Sequence, residues 1–146
     1  MPSSNVYFYR YRGKNYPTLK YILELHEDAL EEAGGASGVN HRSVIESAAR
    51  KAVESAGGED AYPSLFWKVA AMGYTLAHDH GFRDGNKRTA VLAMFATLEQ
   101  NGHYPKPLGN SVDIIIVLTA MGLLKIEGLR VALLMWCGLE AGDHDS

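Results

Sequence analysis

The sequence predicts an all-α fold, a compact bundle of about six helices preceded by a short N-terminal β strand or hairpin. Apolar residues recur at helical spacing through most of the chain, and short breaks containing glycine, proline or asparagine separate these stretches. A length of 146 residues with 47% apolar residues is enough for one domain, residues 1–146, whose core needs no disulfide or metal.

The first elements follow from alternation, capping residues and glycine stops. Val6 to Arg12 alternates and is rich in tyrosine, which predicts a strand within the N-terminal region 1–17. Thr18 is the expected N-cap of a first helix that stops at Gly34-Gly35. Asn40 is the expected cap of a second helix, which Gly57-Gly58 would end.

A predicted loop, Glu59 to Pro63, leads to the later helices. Ser64 is the expected cap of the third helix, which delivers His80 at its C-terminal end. A fourth helix is predicted from Asn86 to Gln100, a fifth from a cap at Ser111 to about Met121, and a sixth, apolar nearly all round, from Ile126 to Gly138. The polar tail, residues 142–146, is expected to fray.

Composition excludes several classes of protein. The single cysteine, Cys137, cannot form an internal disulfide, which favours a reducing compartment, and we expect a cytoplasmic protein. A net charge of −3 without a long basic stripe argues against a nucleic-acid partner. We expect no membrane association, because the most apolar stretch, Val112 to Leu124, is too short to span a bilayer and contains an aspartate.

The run from His80 to Thr89, His-Gly-Phe-Arg-Asp-Gly-Asn-Lys-Arg-Thr, gathers most of the chemistry of the chain. It opens a predicted helix, where the first N–H groups lack intrahelical partners and the positive end of the helix dipole attracts anions. The spacing of its glycines fits neither a P-loop nor a dinucleotide-binding fingerprint. We therefore predict an enzyme that acts on a nucleotide phosphate.

His80 and Asp84 are the candidates for the chemical step. An imidazole titrates near neutral pH, so His80 can serve as the general base that takes a proton from a hydroxyl nucleophile. A carboxylate beside two cations is typical of a Mg²⁺ site completed by substrate phosphates, so Asp84 is the predicted metal ligand. Helix capping is the alternative role of Asp84 and does not exclude metal binding.

The remaining residues of the run are predicted to support phosphate binding. Gly85 allows close approach of an anion, Asn86 offers an amide, and Lys87 and Arg88 supply charge-assisted hydrogen bonds. Phe82 is predicted to be a structural anchor of the turn. Adjacent cations can also be a solvated face, but cations at a helix start oppose the dipole, which mildly favours a functional role.

The run resembles the Fic superfamily motif His-x-Phe-x-[Asp/Glu]-Gly-Asn-x-Arg, which fixes six positions in nine, and it is more similar to the death-on-curing (Doc) branch, which ends Asn-Lys-Arg-Thr. Further likeness lies in His26-Glu27, in Gly34-Gly35 before Gly38, in Tyr62-Pro63 and in Asn101-Gly102. Together these features cover roughly Leu19 to Pro105.

The resemblance implies a nucleotide-dependent transferase that modifies a protein hydroxyl. Fic enzymes that transfer AMP carry Gly before the motif arginine and a second Arg three places after it, where this chain has Lys87 and Val91. Both departures match Doc toxins, which pass the terminal phosphate of ATP to a threonine of elongation factor Tu and stop translation. Carried over, His80 would be the base, Asp84 the Mg²⁺ ligand, and Asn86, Lys87 and Arg88 the phosphate-binding residues.

The resemblance also implies regulation by a partner. Doc toxins are neutralised by a cognate antitoxin whose C-terminal segment folds into a groove on the toxin. Many Fic enzymes instead carry an inhibitory helix, [Ser/Thr]-x-x-x-Glu-[Gly/Asn], and Ser55 to Asp60 misses its last position. Family members hold the target's backbone on a flap beside the pocket, for which Glu59 to Pro63 is the candidate.

Three other readings of the sequence stay open at this point. The chain could be a Fic-type AMP transferase that tolerates Lys87 and Val91. His78-Asp79 could belong to a metal-dependent HD phosphohydrolase, with His41 and Asp113 as nominal further ligands. The chain could also be a non-catalytic binding module, although its intact motif argues against decay. The remaining histidines are expected to be packing or surface groups: His26, His41, His103 and His144.

Overall fold

The structure, a computed structural model, describes residues 6–142. Within them the chain forms two short hairpins and six helices. In chain order these elements are β1 (Phe8–Tyr11), β2 (Lys14–Pro17), α1 (Leu19–Ala33), α2 (Arg42–Ala49), β3 (Ser55–Ala56), β4 (Glu59–Asp60), α3 (Leu65–His78), α4 (Asn86–Gln100), α5 (Ser111–Ala120) and α6 (Ile126–Trp136). The predicted all-α fold with an N-terminal hairpin is confirmed.

The N-terminal hairpin leads directly into α1. Strands β1 and β2 pair antiparallel, with Tyr9 opposite Tyr16. Thr18 caps the helix as predicted, because its hydroxyl oxygen accepts a hydrogen bond from the Tyr21 N–H at 3.2 Å. The same hydroxyl donates to the Val6 carbonyl at 2.6 Å, which ties the hairpin to the helix start. Gly34, with φ 79°, ends α1 as expected.

The second helix differs from the prediction at both ends. Its N-cap is His41 and not Asn40, whose backbone N–H instead donates to the Gly81 carbonyl at 2.8 Å. The helix ends at Ala49, well before Gly57-Gly58. Those glycines have φ values of 63° and 85° and form the turn between β3 and β4, because adjacent left-handed residues suit a two-residue hairpin turn.

Helix α3 is the centre of the core. Nearly all of its residues are buried, and it packs against α2, α4, α5 and α6. Its contact with α4 is close because Gly73 has no side chain: a Cβ there would overlap the Met94 side chain. Ser64 occupies the predicted cap position, although its hydroxyl makes no capping hydrogen bond. Helices α3 and α4, which precede and follow the motif, are thus packed closely together.

The last helices agree with the prediction in position and differ in detail. Helix α4 has the expected bounds, and Asn110, not Ser111, is the N-cap of α5. Helix α6 buries one face, including Leu129 and Leu133, while Met135 is 68% exposed, so the expectation of a helix buried all round is wrong. No helix within residues 6–142 is long and apolar enough to cross a bilayer. The frayed tail was expected at 142–146, of which 143–146 lie outside the described residues.

Candidate active site

The candidate catalytic turn begins where α3 ends. The helix stops at His78, Asp79 is its C-cap, and His80 follows as an exposed residue two positions beyond the helix. His80 has φ 54°, a left-handed conformation that is uncommon for a residue with a side chain and that costs energy unless its surroundings impose it. Strained residues of this kind cluster at functional sites, so His80 has both the exposure and the backbone geometry of a reactive residue.

A glycine-rich segment, Gly34 to His41, holds the turn from one side, and we call it the glycine loop. Val39 and Phe82 form an isolated antiparallel bridge. The Arg83 N–H donates to the Gly38 carbonyl at 3.0 Å, and the Asn40 and His41 N–H groups donate to the Gly81 carbonyl at 2.8 and 3.0 Å. The loop therefore runs beside the motif as a short paired strand.

The predicted flap, Glu59 to Pro63, does not lie beside the motif. Its Asp60 accepts a hydrogen bond from Lys68 Nζ at 2.9 Å, near the N-terminal end of α3, whereas the motif follows the C-terminal end. Lys68 and His78 are ten residues apart on this helix, which corresponds to about 15 Å. The segment beside the motif is the glycine loop, so the assignment of the flap to Glu59–Pro63 is wrong.

Phe82 lies in the core beneath the turn. It is 1% exposed, and its ring stacks on the imidazole of His26 with centroids 3.7 Å apart and planes 6° from parallel. His26 comes from the middle of α1 and is itself 5% exposed. As expected, this histidine packs inside the protein, and the structure adds that it packs directly against the motif.

Asp84 is held at two points, and both contacts come from distant parts of the sequence. Its backbone carbonyl lies 2.8 Å from His26 Nε2, and its carboxylate oxygen Oδ2 accepts a hydrogen bond from the Ala36 N–H at 2.8 Å. Within residues 6–142, the second oxygen, Oδ1, has no hydrogen-bond or ion-pair partner. The side chain is exposed, so Oδ1 is available to a ligand from solvent.

The Asn86 side chain has a different partner from the phosphate that we expected. Its Oδ1 accepts from the Phe82 N–H at 3.0 Å and its Nδ2 donates to the Phe82 carbonyl at 2.9 Å. Both ends of the amide thus help to close the turn between His80 and α4. In this conformation Asn86 can offer an anion its backbone N–H and the second hydrogen of Nδ2, but not its carbonyl oxygen or the Nδ2 hydrogen bonded to Phe82.

The start of α4 brings together backbone and side-chain groups that could bind an anion. Gly85 is the N-cap with φ 81°, and the first hydrogen bond of the helix is from the Thr89 N–H to the Gly85 carbonyl. The N–H groups of residues 86–88 precede that bond and lack intrahelical acceptors. Lys87 and Arg88 are exposed beside them, and Arg88 forms a 3.1 Å ion pair with Glu32 of α1.

A cleft of about 390 Å³ lies between the start of α4 and helix α5. The motif supplies one end of its wall, with Gly85 and the three residues after it. The rest of the wall is mostly apolar, with one carboxylate, and consists of Val91, Leu92, Val112, Asp113, Ile116 and Val117. Cations and open N–H groups beside an apolar wall suit a ligand with phosphates at one end and a ring system at the other.

Comparison with known proteins agrees with this geometry. The model of the family described as "Fic/DOC family" matches residues 16–98, more than half of the chain, including the whole motif. The chain belongs to the Fic/DOC family. It is similar to "Toxin Doc" of Mycolicibacterium smegmatis (strain ATCC 700084 / mc(2)155), with 39% identity over 69 residues, which cover 47% of this chain and 53% of the relative. The matched region thus spans about half the length of that curated protein.

The structure gives no support to the HD phosphohydrolase alternative. His78 Nδ1 lies 2.7 Å from its neighbour Asp79, and its ring stacks on Tyr74. Among residues 6–142 no three or more His, Cys, Asp or Glu side chains are grouped so that they could hold a metal ion. A site made of one carboxylate and open space for phosphates is instead typical of Mg²⁺ bound together with a nucleotide.

Sequence reasoning missed the residues that support the Fic/DOC motif from α1 and the glycine loop. His26, Gly35 and Ala36 all contact Asp84 or its neighbours across about 50 residues of sequence. The only signal was the likeness of His26-Glu27 and Gly34-Gly35 to Doc-type sequences, which does not reveal what those residues touch. The sequence also offered no reason for a glycine at position 81. In the structure, a Cβ at this position would lie only 2.9 Å from the Ile45 side chain.

Proposed function

We propose that this protein is a Doc-like toxin of a toxin–antitoxin pair that transfers the γ-phosphate of ATP to a hydroxyl group of a protein. The proposed acceptor is a threonine of a translation factor such as elongation factor Tu, so that transfer inhibits translation. One observation carries this proposal: Lys87 and Val91 line the same cleft as the start of α4. A cation and an apolar side chain thus stand where AMP-transferring Fic enzymes have Gly and a second Arg. The similarity to Toxin Doc of M. smegmatis supports the same assignment.

In the proposed reaction His80 accepts the proton of the attacking hydroxyl. The hydroxyl oxygen forms a bond to the γ-phosphorus, the bond from that phosphorus to the β–γ bridging oxygen breaks, and ADP leaves with the bonding electrons. The N–H groups of residues 86–88, with Lys87 and Arg88, stabilise the negative charge of the phosphates. Arg88 would exchange its exposed ion pair with Glu32 for a phosphate, at small cost because such pairs are weak.

The residues present fit a magnesium ion. Asp84 Oδ1 is an exposed carboxylate oxygen without a protein partner among residues 6–142, next to the anion site. Mg²⁺ takes oxygen ligands and is commonly held by one or two carboxylates together with substrate phosphates. When bound, the ion would neutralise phosphate charge, and Asp84 is the residue that would hold it.

The acceptor and the antitoxin need separate surfaces. The glycine loop lies beside the motif and exposes 44% of Val39, so we propose it as the flap that holds the target's backbone. For the antitoxin segment we propose an apolar groove of about 870 Å³ near the other end of α4. Its wall includes Leu108, which is 85% exposed, and Met135, which is 68% exposed. An amphipathic helix would cover these side chains. Leu108→Glu should then weaken antitoxin binding without reducing phosphate transfer.

The test is a paired assay with γ- and α-labelled ATP, Mg²⁺ and elongation factor Tu. The proposal expects label on the factor from γ-labelled ATP only. Label from α-labelled ATP would show AMP transfer and refute the assignment based on Lys87 and Val91. If no label appears on the purified factor, a lysate replaces it as acceptor, and absence of labelling there would refute the enzymatic proposal.

Two variants control this assay. His80→Ala should abolish transfer while its circular dichroism and melting temperature stay near those of the wild type, because His80 is exposed. His78→Ala is the matched control: it removes a neighbouring, partly exposed histidine that pairs with Asp79. Transfer should survive this second change. Equal loss in both variants would contradict a specific role of His80 as the base.

A further inference from the structure

The neighbours of Asp84 suggest how its carboxylate is oriented. His26 is buried in the middle of α1, 58 residues before Asp84 in sequence, yet its Nε2 lies 2.8 Å from the Asp84 carbonyl. Since a carbonyl can only accept, the imidazole N–H must donate, which places a proton on Nε2. The flat stack on Phe82, at 3.7 Å, fixes the plane of the imidazole and therefore the direction of that N–H.

The carboxylate is held by a separate contact. The Ala36 N–H of the glycine loop donates to Oδ2 at 2.8 Å. The loop can come this close because residue 35 is glycine: with φ 120°, a Cβ there would lie 3.2 Å from the Asp84 Cβ. One oxygen of the carboxylate is thus engaged, and the other, Oδ1, has no partner among the described residues.

We propose that His26 is a positioning residue of the active site. Together with the Ala36 amide, it holds Asp84 so that a single carboxylate oxygen, Oδ1, remains free and would bind the cation. This inference rests on the proposed function, because it takes Asp84 as the magnesium ligand. Hydrogen-bond partners that orient a metal ligand commonly change metal affinity by about 10–100-fold when they are removed.

The experiment measures how much magnesium strengthens nucleotide binding. The affinity for the non-hydrolysable analogue AMP-PNP is determined by calorimetry once with Mg²⁺ and once with EDTA, and the ratio of the two dissociation constants is the magnesium gain. A residue that serves only the general structure would change both affinities in parallel and leave the gain unaltered. The gain therefore reports on the cation site separately from folding and from transfer activity.

Two substitutions separate the effect of the hydrogen bond from His26 to Asp84 from the effect of its stacking on Phe82. His26→Phe keeps a ring against Phe82 and loses the donor, and it should reduce the magnesium gain about 10-fold. His26→Gln places an amide N–H near the position of Nε2, and it should retain the gain within about 3-fold. An unchanged gain in His26→Phe, or equal loss in both variants, would overturn the proposal.

The glycine loop offers a second, independent pair should His26→Phe fail to fold. In Gly35→Ala the new Cβ would lie 3.2 Å from the Asp84 Cβ, so the loop and Asp84 must shift apart by a few tenths of an ångström, whereas Gly34→Ala, also at a positive φ of 79°, meets no atom within 4 Å. The gain should fall in the first variant and persist in the second. Equal gains in these two variants would refute the positioning role.

Failure of this inference is distinguishable from failure of the proposed function. Asp84→Asn must itself abolish the magnesium gain; if the gain persists, Asp84 is not the ligand and the positioning role of His26 falls with it. Transfer of γ-phosphate to elongation factor Tu could still be observed in that case. Conversely, the expected pattern of gains without any phosphate transfer would leave the positioning of Asp84 supported and would refute the kinase assignment.

Discussion

Asn86→Ala is the substitution that best separates a structural role from a ligand-binding role within the motif. The side chain makes two hydrogen bonds to the backbone of Phe82, at 3.0 and 2.9 Å. Each such bond contributes about 0.5–1.5 kcal/mol net, so the loss of both destabilises the protein by about 1–3 kcal/mol. The better helix propensity of alanine offsets at most about 0.7 kcal/mol of this loss.

The expected change is measurable by urea denaturation and by thermal melting. With this offset the net loss is about 0.3–3 kcal/mol, which for a chain of 146 residues with an average entropy of unfolding per residue corresponds to a fall in melting temperature of about 1–10 °C. Asn40→Ala is the matched control, because the Asn40 amide reaches the same Phe82 carbonyl only at 3.5 Å. That variant should lose no more than about 0.5 kcal/mol.

The opposite result would support the predicted role of the Asn86 side chain in phosphate binding. If Asn86→Ala melts within 1 °C of the wild type and yet binds AMP-PNP much more weakly, its amide serves the phosphate and not the turn. The reasoning from the two hydrogen bonds would then be refuted. A loss of stability with nearly unchanged affinity, measured below the melting transition, would support it.

Three further predictions follow from the surroundings of individual side chains. Hydrogen bonds from Tyr11 and Lys68 lower the pKa of Asp60 below its ordinary 3.8, so this carboxylate stabilises the fold above that pH, and the benefit is lost as pH falls through the lowered pKa. Asp60→Asn should therefore melt below the wild type at pH 7, with a difference that shrinks below pH 4; a constant difference would contradict this. Glu32→Gln frees the motif arginine from an exposed ion pair and should tighten nucleotide binding up to about 5-fold, whereas weaker binding in calorimetry would refute the competition. Burial raises the pKa of the Cys137 thiol to about 11, so it should react with a thiol reagent at pH 7 far more slowly than free cysteine, and a fast reaction would count against that pKa.

The parts of the fold that the sequence predicted correctly depend on local signals. Thr18 and Gly34 delimit α1, and Asn101 with Gly102 ends α4, because caps and left-handed glycines act on the nearest turn of helix. The second helix was predicted too long for the same reason. Apolar spacing continued towards Gly57-Gly58, but nothing local showed that these glycines would close a hairpin instead of ending a helix.

The candidate site was predictable as a list of residues and not as an arrangement. The motif gave the proposed base, the carboxylate and the cations in one run of sequence. The residues that hold the motif in place lie far from it in sequence: His26 contacts Asp84 across 58 residues, and Ala36 contacts it across 48. Such contacts depend on how α1 packs against α4, which no pattern within the motif encodes. The Asn86 side chain was predicted to bind phosphate because its chemistry suits both a phosphate and a backbone turn, and only the coordinates show that it bonds the backbone of Phe82.

The backbone conformation of His80 depends on the same contacts that hold the motif in place. A residue with φ 54° keeps that conformation only if neighbouring contacts outweigh its cost of about 1–3 kcal/mol. The contacts that can do so lie immediately after it: Gly81 is held by two N–H groups of the glycine loop, and Phe82 is buried against His26 and bonded to Asn86. These anchors are buried or are backbone groups, whereas His80 and Asp84 project into solvent. We therefore expect that a change at one of these anchors disturbs His80, the proposed base, and Asp84, the proposed metal ligand, together, although neither residue is itself altered.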